Sequence, residues 1–337
     1  MPDRVRQIAD AVLYEGYILW PYRRSAMKNQ HRWTFGGVYP QEWATAHEDD
    51  SSLMRTECLL EGDDRTRIDV EIRFLHVVAR QPYVNGEDGP VAVDELDSGI
   101  ERHLAWEEAI EREVGLHEQA VGELGSPRTL EIELPAGSEE EPVTGVDGDA
   151  LGHLSRSWRE LRGRLSVGAD PLGDGLWRIV VRIENASPFE RETREAALEQ
   201  TFCSCHTVLR VREGAFISLT DPPERAREQA SRCENVGTWP VLVGEEGDRS
   251  TVVSSPIILS DYPQVAPESP GDLFDSSEID QMLVLNILTL TDEEKREMRE
   301  SDPRAREILE RTESLTPDQL MRLHGTIREM STAREMR

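Results

Sequence analysis

Lysine is almost missing from this chain of 337 residues: only Lys28 and Lys295 are present, while arginine is plentiful. Acidic residues outnumber basic ones 66 to 38, a formal charge of −28. Binding to a phosphate backbone depends on clustered Lys and Arg that release counterions, so this balance excludes nucleic acid from the expected partners. Cysteine is also scarce. The four present, Cys58, Cys203, Cys205 and Cys233, do not make a disulfide framework at this length and predict a reduced, cytoplasmic protein. Long hydrophobic runs are missing. The most apolar stretch, residues 282–290, contains Asn286 and is too short for a bilayer, so no membrane span is expected. The opening MPDRVRQIADAV lacks the apolar core of a secretory signal. No GxSxG elbow, HExxH helix, GxxxxGK phosphate loop or GxGxxG fingerprint occurs, which turns the expectation away from an enzyme.

Aromatics make up 6% of the chain, and they concentrate where the charge reverses. Within residues 13–40, Tyr14, Tyr17, Trp20, Tyr22 and Trp33 accompany Arg23, Arg24, Lys28, His31 and Arg32. Arg, Tyr and Trp carry most of the energy at protein interfaces, so Tyr22, Arg23, Arg24, Lys28, Arg32 and Trp33 form the candidate partner-binding set. The competing reading is a sheet core filled by the rings, with the guanidiniums paired to surplus carboxylates.

The rest of the pattern describes an α+β fold: an antiparallel β-rich body with inserted helices and a C-terminal helical segment. Val5, Ile8, Ala9, Val12 and Leu13 fall at helical spacing. Gly36 and Gly37 interrupt an expected strand at 33–39 and suit a bulge or a close backbone approach. Ile68, Val70, Ile72 and Phe74 alternate with charged residues, which predicts one buried and one wet face. The same period recurs at 130–134, 161–167 and 177–183, the last two joined by the DPLGDG turn. A charged helix is expected over 100–114, with Glu108 and Arg112 at i,i+4. Residues 137–152, acidic and glycine-rich, read as an exposed loop. Beyond them come a helix near 192–201, a hairpin through Arg212-Glu213-Gly214, a helix from Asp221-Pro222, and strands at 239–243 and 251–259. Prolines 263, 267 and 270 punctuate a linker, which divides the chain into a body, 1–265, and a linker with helices, 266–337. Asp275 with Glu278, Thr291 with Glu294, and Thr316 with Gln319 each have capping-box spacing. Asp302-Pro303 opens a further short helix.

One constellation has the look of chemistry. Cys203, Cys205 and His206, with Cys233, supply the three thiolates and one imidazole that a tetrahedral metal accepts, provided that 203 and 205 share a strand face. Zinc, nickel or iron is the cofactor this set implies. A metal carrier or metal-dependent enzyme is therefore the alternative function. The competing reading is inert core packing, because free cysteine is commonly buried. The carboxylates Asp272, Asp275, Glu278 and Asp280 are explained by helix capping and the helix dipole.

Three strings, residues 8–40 (IADAVLYEGYILWPYRRSAMKNQHRWTFGGVYP), 235–242 (NVGTWPVL) and 254–305 (from SSPIILSDYP to ESDPRA), resemble an uncharacterised bacterial protein family encoded beside nickel-iron uptake hydrogenases. The resemblance implies an accessory part in assembling, maturing or scaffolding the hydrogenase. Its implied partner is a hydrogenase subunit or maturation factor, or a second copy of the chain in a homo-oligomer. It transfers no catalytic residue.

Overall fold

Period-two alternation over long stretches produces strands that are long and antiparallel. The computed structural model describes residues 4–14, 35–191, 193–264, 287–301 and 303–314. It opens with α1 (Arg4–Tyr14) and α2 (Gln41–Ala46), then β1 (Leu53–Glu61), β2 (Arg67–Gly86), β3 (Gly89–Ala92), β4 (Glu95–Asp97), β5 (Arg102–Leu104) and β6 (Trp106–Ala120). β7 (Arg128–Leu134), β8 (Gly137–Thr144), β9 (Ala150–Trp158), β10 (Leu161–Gly173) and β11 (Leu176–Asn185) follow. The chain continues through α3 (Arg194–Leu198), β12 (Cys203–Arg212), β13 (Ala215–Ile217), α4 (Arg227–Ala230), β14 (Trp239–Leu242) and β15 (Thr251–Ser255). The last helices described are α5 (Asp292–Ser301) and α6 (Pro303–Glu313).

Two antiparallel sheets face each other. The smaller has the order β13-β1-β11-β10-β7, and the larger runs β14-β15-β12-β2-β9-β8, with β3 and β6 also paired to β2. Their facing apolar rows interlock: Ile68, Ile72 and Phe74 of β2 share one cluster with Leu165 and Val167 of β10 and Ile179 and Val181 of β11. The expected body is thus a β-rich α+β fold, layered around one main core. Among the described residues no helix is long and apolar enough to cross a membrane.

β2, 20 residues long, organises the larger sheet. β6 runs along one edge from Arg67 to Arg80. The other edge is shared: β12 pairs as far as Leu75 and β9 takes over at Ala79. Because an edge of that length was waiting for partners, the helix expected over 100–114 is replaced by β5 and the first part of β6, which runs on to Ala120. Glu108 does not meet Arg112; it bonds Arg80 and Arg156 across the strands, both at 2.8 Å.

Residues 137–152 are likewise not a loop. β8 and β9 form a hairpin whose turn is closed by Gly145 N–H donating to the Asp149 carbonyl. Glu139 and Glu141 sit on an outer strand, where charge and Pro142 protect an open edge. The expected Arg212-Glu213-Gly214 hairpin is a crossover. β12 belongs to the larger sheet while β13 pairs with β1 in the smaller, and Gly214 passes so close that a Cβ would lie 2.9 Å from the Glu61 carbonyl. The β10–β11 hairpin and the β14–β15 pair stand where the alternation placed them, except that β15 ends at Ser255 and not at 259. The helix near 192–201 shortens to α3, capped by the Thr193 hydroxyl, which accepts the Ala196 N–H. From the expected strand at 33–39, the described part contributes only bridges at Val38 to Phe202 and Ser51.

The Thr291–Glu294 capping box forms in both directions: Glu294 N–H donates to the threonine hydroxyl at 3.3 Å, and Thr291 N–H to the glutamate at 2.9 Å. The boxes at 275 and 316, and the boundary expected at 265, lie outside the described residues. α5 and α6, beyond that boundary, share an apolar cluster with the body through Met298, Ile308 and Leu309.

Candidate functional site

The outward face of the larger sheet is where the three resembling strings meet. α1 lays its apolar stripe there, with Val5, Ile8, Ala9 and Val12 against Val208 of β12, Val253 of β15 and Val241 of β14. One turn on, Leu13 and Tyr14 join Tyr39, Leu75, Val77 and Trp106, and the same cluster takes in Ile287, Met298 and Ala305. Residues from 8–40, 235–242 and 254–305 are thus assembled on one face although more than two hundred positions separate the first from the last.

This cover corrects the expectation of a wet face on β2. Arg73, on the charged side of the alternation, is buried under α1 with 6% of its side chain exposed. It pairs with Asp10 of α1 at 2.7 Å and lies 3.6 Å from both Glu111 and Glu113 of β6. The Tyr14 hydroxyl donates to Glu111. Desolvating a guanidinium is costly, and three carboxylates around it offset that cost. Alternation could not separate Arg73 from the exposed Arg67 at the start of the same row; only the helix laid across it does.

A second network ties the loop after residue 35 to α3. Arg194 donates to the Tyr39 hydroxyl at 2.8 Å and to Asp50 at 3.3 Å, and Trp43 Nε1–H donates to the same Asp50 carboxylate at 2.8 Å. Burial pushes the Tyr39 phenol well above its usual range; nearby Cys203 adds to this and Arg194 opposes it. His47 stacks on Trp43 with ring centroids 3.5 Å apart. Ser204 and Cys205 N–H groups donate to the carbonyls of Phe35 and Gly36, at 3.2 and 3.0 Å. Gly36 has φ of +59°, and a Cβ there would lie 2.5 Å from Pro256 Cγ. The close backbone approach expected of the glycine pair is realised at that residue.

The candidate metal ligands are placed apart. Ser204 takes a left-handed φ of +50° and the β12–β2 register shifts between Cys203 and His206, so the bulge breaks the alternation that would have put 203 and 205 on one face. Cys203 packs with Leu75 and Tyr39, whereas Cys205 packs in the main core with Phe74 and Leu209. Cys233 lies with Leu59, Ile217 and Ala226 in a third cluster. His206 is buried opposite Arg73, its Nδ1 3.2 Å from the Ser204 carbonyl. All four cysteines are free thiols, and among the described residues no group of three or more His, Cys, Asp and Glu is arranged to hold a metal. Burial raises the Cys58 and Cys205 thiols far above their ordinary range and pushes Cys233 up to about 11. His206 is driven down to about 4 by burial and by the charge of Arg73, with its bond to the Ser204 carbonyl opposing.

Tyr22, Arg23, Arg24, Lys28, Arg32 and Trp33 lie outside the described residues. Of their nearest described neighbours, Tyr14 is buried in the cluster of the assembled face, and Phe35, whose carbonyl accepts the Ser204 N–H, is 41% exposed. Sequence reasoning missed Arg73, Asp10, Tyr39 and Arg194. The one available signal was the capacity of Asp10, on the polar flank of an apolar helix stripe, to meet a basic residue wherever that stripe docked. No protein-family model matches this chain, and no curated protein is significantly similar to it.

Proposed function

We propose that the chain is a non-enzymatic accessory protein of a nickel-iron hydrogenase, acting in assembly, maturation or scaffolding by binding another polypeptide. The observation that carries this reading is the convergence of the three resembling strings on the α1-covered face of the larger sheet. The residues through which the strings meet are themselves buried, so they serve as the common base on which the three strings build one side of the molecule. The candidate contact residues Tyr22, Arg23, Arg24, Lys28, Arg32 and Trp33 follow Tyr14, a member of that face, in the sequence. Their positive charge in a chain of net −28 suits an acidic partner surface. The separation of Cys203, Cys205 and Cys233 into different clusters favours this reading over the metal carrier.

The test is affinity capture from a hydrogenase-producing host. A hydrogenase subunit or maturation factor is expected to co-elute with the native chain, and the triple variant Tyr22→Ala, Arg24→Ala, Trp33→Ala is expected to retain less than about a tenth of it, as loss of interface anchors implies. A folded native chain that captures neither would sink the proposal.

A further inference from the structure

Where the two sheets meet at β13 and β14, a cleft of about 460 Å³ opens, a size suited to a small ligand. Its floor is apolar, made by Ile217 and Leu242, with Pro222 and Pro223 beside them. Its charged groups stand in two sets. On one side Arg225 and Arg249 both grip Glu61, the latter at 2.5 Å. Burial works against ionisation of that carboxyl, yet the two guanidiniums hold it below its usual range. Arg249 is oriented by its Nε–H, which donates to the Phe216 carbonyl at 2.7 Å. One carboxylate facing two guanidiniums leaves a positive surplus and spare N–H donors.

The other set is anionic. Asp261 accepts the Ser218 hydroxyl at 2.5 Å and the Leu242 N–H at 2.8 Å, while Asp221 is tethered through its N–H to the Ser218 oxygen at 2.8 Å. Both aspartates line the cleft, and neither forms an ion pair with Arg225 or Arg249. The cleft thus presents two guanidiniums and two carboxylates with no ion pair between the two sets, beside the apolar Ile217 and Leu242. The adjoining Tyr262 has φ of +54°, a left-handed conformation unfavourable for so bulky a residue, and its N–H donates to the Leu242 carbonyl at 2.7 Å. Such strain persists where the surroundings over-determine a local geometry, and it gathers at ligand sites.

We infer that this cleft binds a small zwitterion of the α-amino acid type, its carboxylate on Arg225 and Arg249, its ammonium on Asp221 and Asp261, and its side chain on Ile217 and Leu242. The site is independent of the protein-binding face and of its reading. It is tested by calorimetric titration of the full chain with L-leucine, with 4-methylpentanoate, which lacks the ammonium, and with 3-methylbutylamine, which lacks the carboxylate. Leucine is expected to bind saturably and each analogue about tenfold or more weaker, the loss that follows from one charge-assisted contact. Arg225→Ala, at an exposed rim residue whose described bond is to Glu61, is expected to weaken leucine about tenfold and leave the amine unchanged. Asp221→Asn, which keeps the tethering N–H, is expected to weaken leucine and leave the acid unchanged. Analogues that bind as well as leucine, variants that do not discriminate, or no saturation with leucine or L-phenylalanine by a chain of native circular dichroism would each overturn the inference.

Discussion

His76 lies in the stretch of β2, residues 76–78, between the end of its pairing with β12 and the start of its pairing with β9. It is fully buried, and neither ring nitrogen makes a hydrogen bond of good geometry, the backbone of Arg159 being a polar neighbour. Burial, and secondarily the charge of Arg112, drive its pKa down from 6.5 to about 4, with the backbone near Arg159 opposing weakly. The folded state therefore keeps this imidazole neutral while the unfolded chain protonates it. Its contribution to stability is full above pH 6.5 and is lost as pH falls toward 4, on the order of 2 kcal/mol between pH 7 and pH 5. His206, lowered to about 4 mainly by burial, adds a comparable loss. His76→Leu, which removes two unmet polar atoms, is expected to unfold in urea at the native midpoint or above it at pH 7. At pH 5 it should show roughly half of the native acid destabilisation. An unchanged acid loss in that variant would show that His76 is already protonated in the fold.

At the scale of single elements, the bulge in β12 decides which cysteine faces which core. Ser204 holds φ of +50°, a conformation that costs an L-residue with a branched Cβ most. Ser204→Gly is expected to match or exceed the native stability, and Ser204→Val to lose about 1–3 kcal/mol, read from urea midpoints. Equal stability of the two variants would mean that β12 is regular, and that Cys203 and Cys205 face the same way. Elements whose residues carry their own signal stand as read: the stripe of α1, the Thr291–Glu294 cap, the turn between β10 and β11. Those that differ, β6 and the β8–β9 hairpin, are strands by virtue of partners far away in the chain. Glu108 illustrates the reason: its spacing to Arg112 suits a helix, yet Arg80 and Arg156 offer it better-placed guanidiniums once the sheet exists.

Over the whole molecule, a charge of −28 repels itself in any compact state. The ion pairs gathered here are partly local devices against that repulsion: Arg249 and Arg225 on Glu61, Arg156 between Glu108 and Glu141, Arg210 on Glu71. Most are partly exposed and individually worth little. Net repulsion therefore outweighs them, and screening it should stabilise the fold. Raising sodium chloride from about 0.1 M to about 1 M shortens the screening length from about 10 Å to about 3 Å. Tm is expected to rise by a few degrees, at about 2–4 °C per kcal/mol for a domain of this order. A fall in Tm would mean that the paired arginines, Arg73 foremost, dominate the long-range field.

Composition and periodicity by themselves determined the acidic surface, the antiparallel β-rich body, the helices at either end and the poverty of thiols, because each follows from which residues prefer water and from how a local backbone repeats. Only the tertiary structure decided that residues 106–120 extend along β2, that α1 buries Arg73 among Asp10, Glu111 and Glu113, and that one left-handed serine turns Cys203 away from Cys205. The physical reason is common to all three. An unpaired strand edge, a buried guanidinium and a shifted register are satisfied by groups brought from distant parts of the chain, and their cost or benefit exists only after the chain has closed around them.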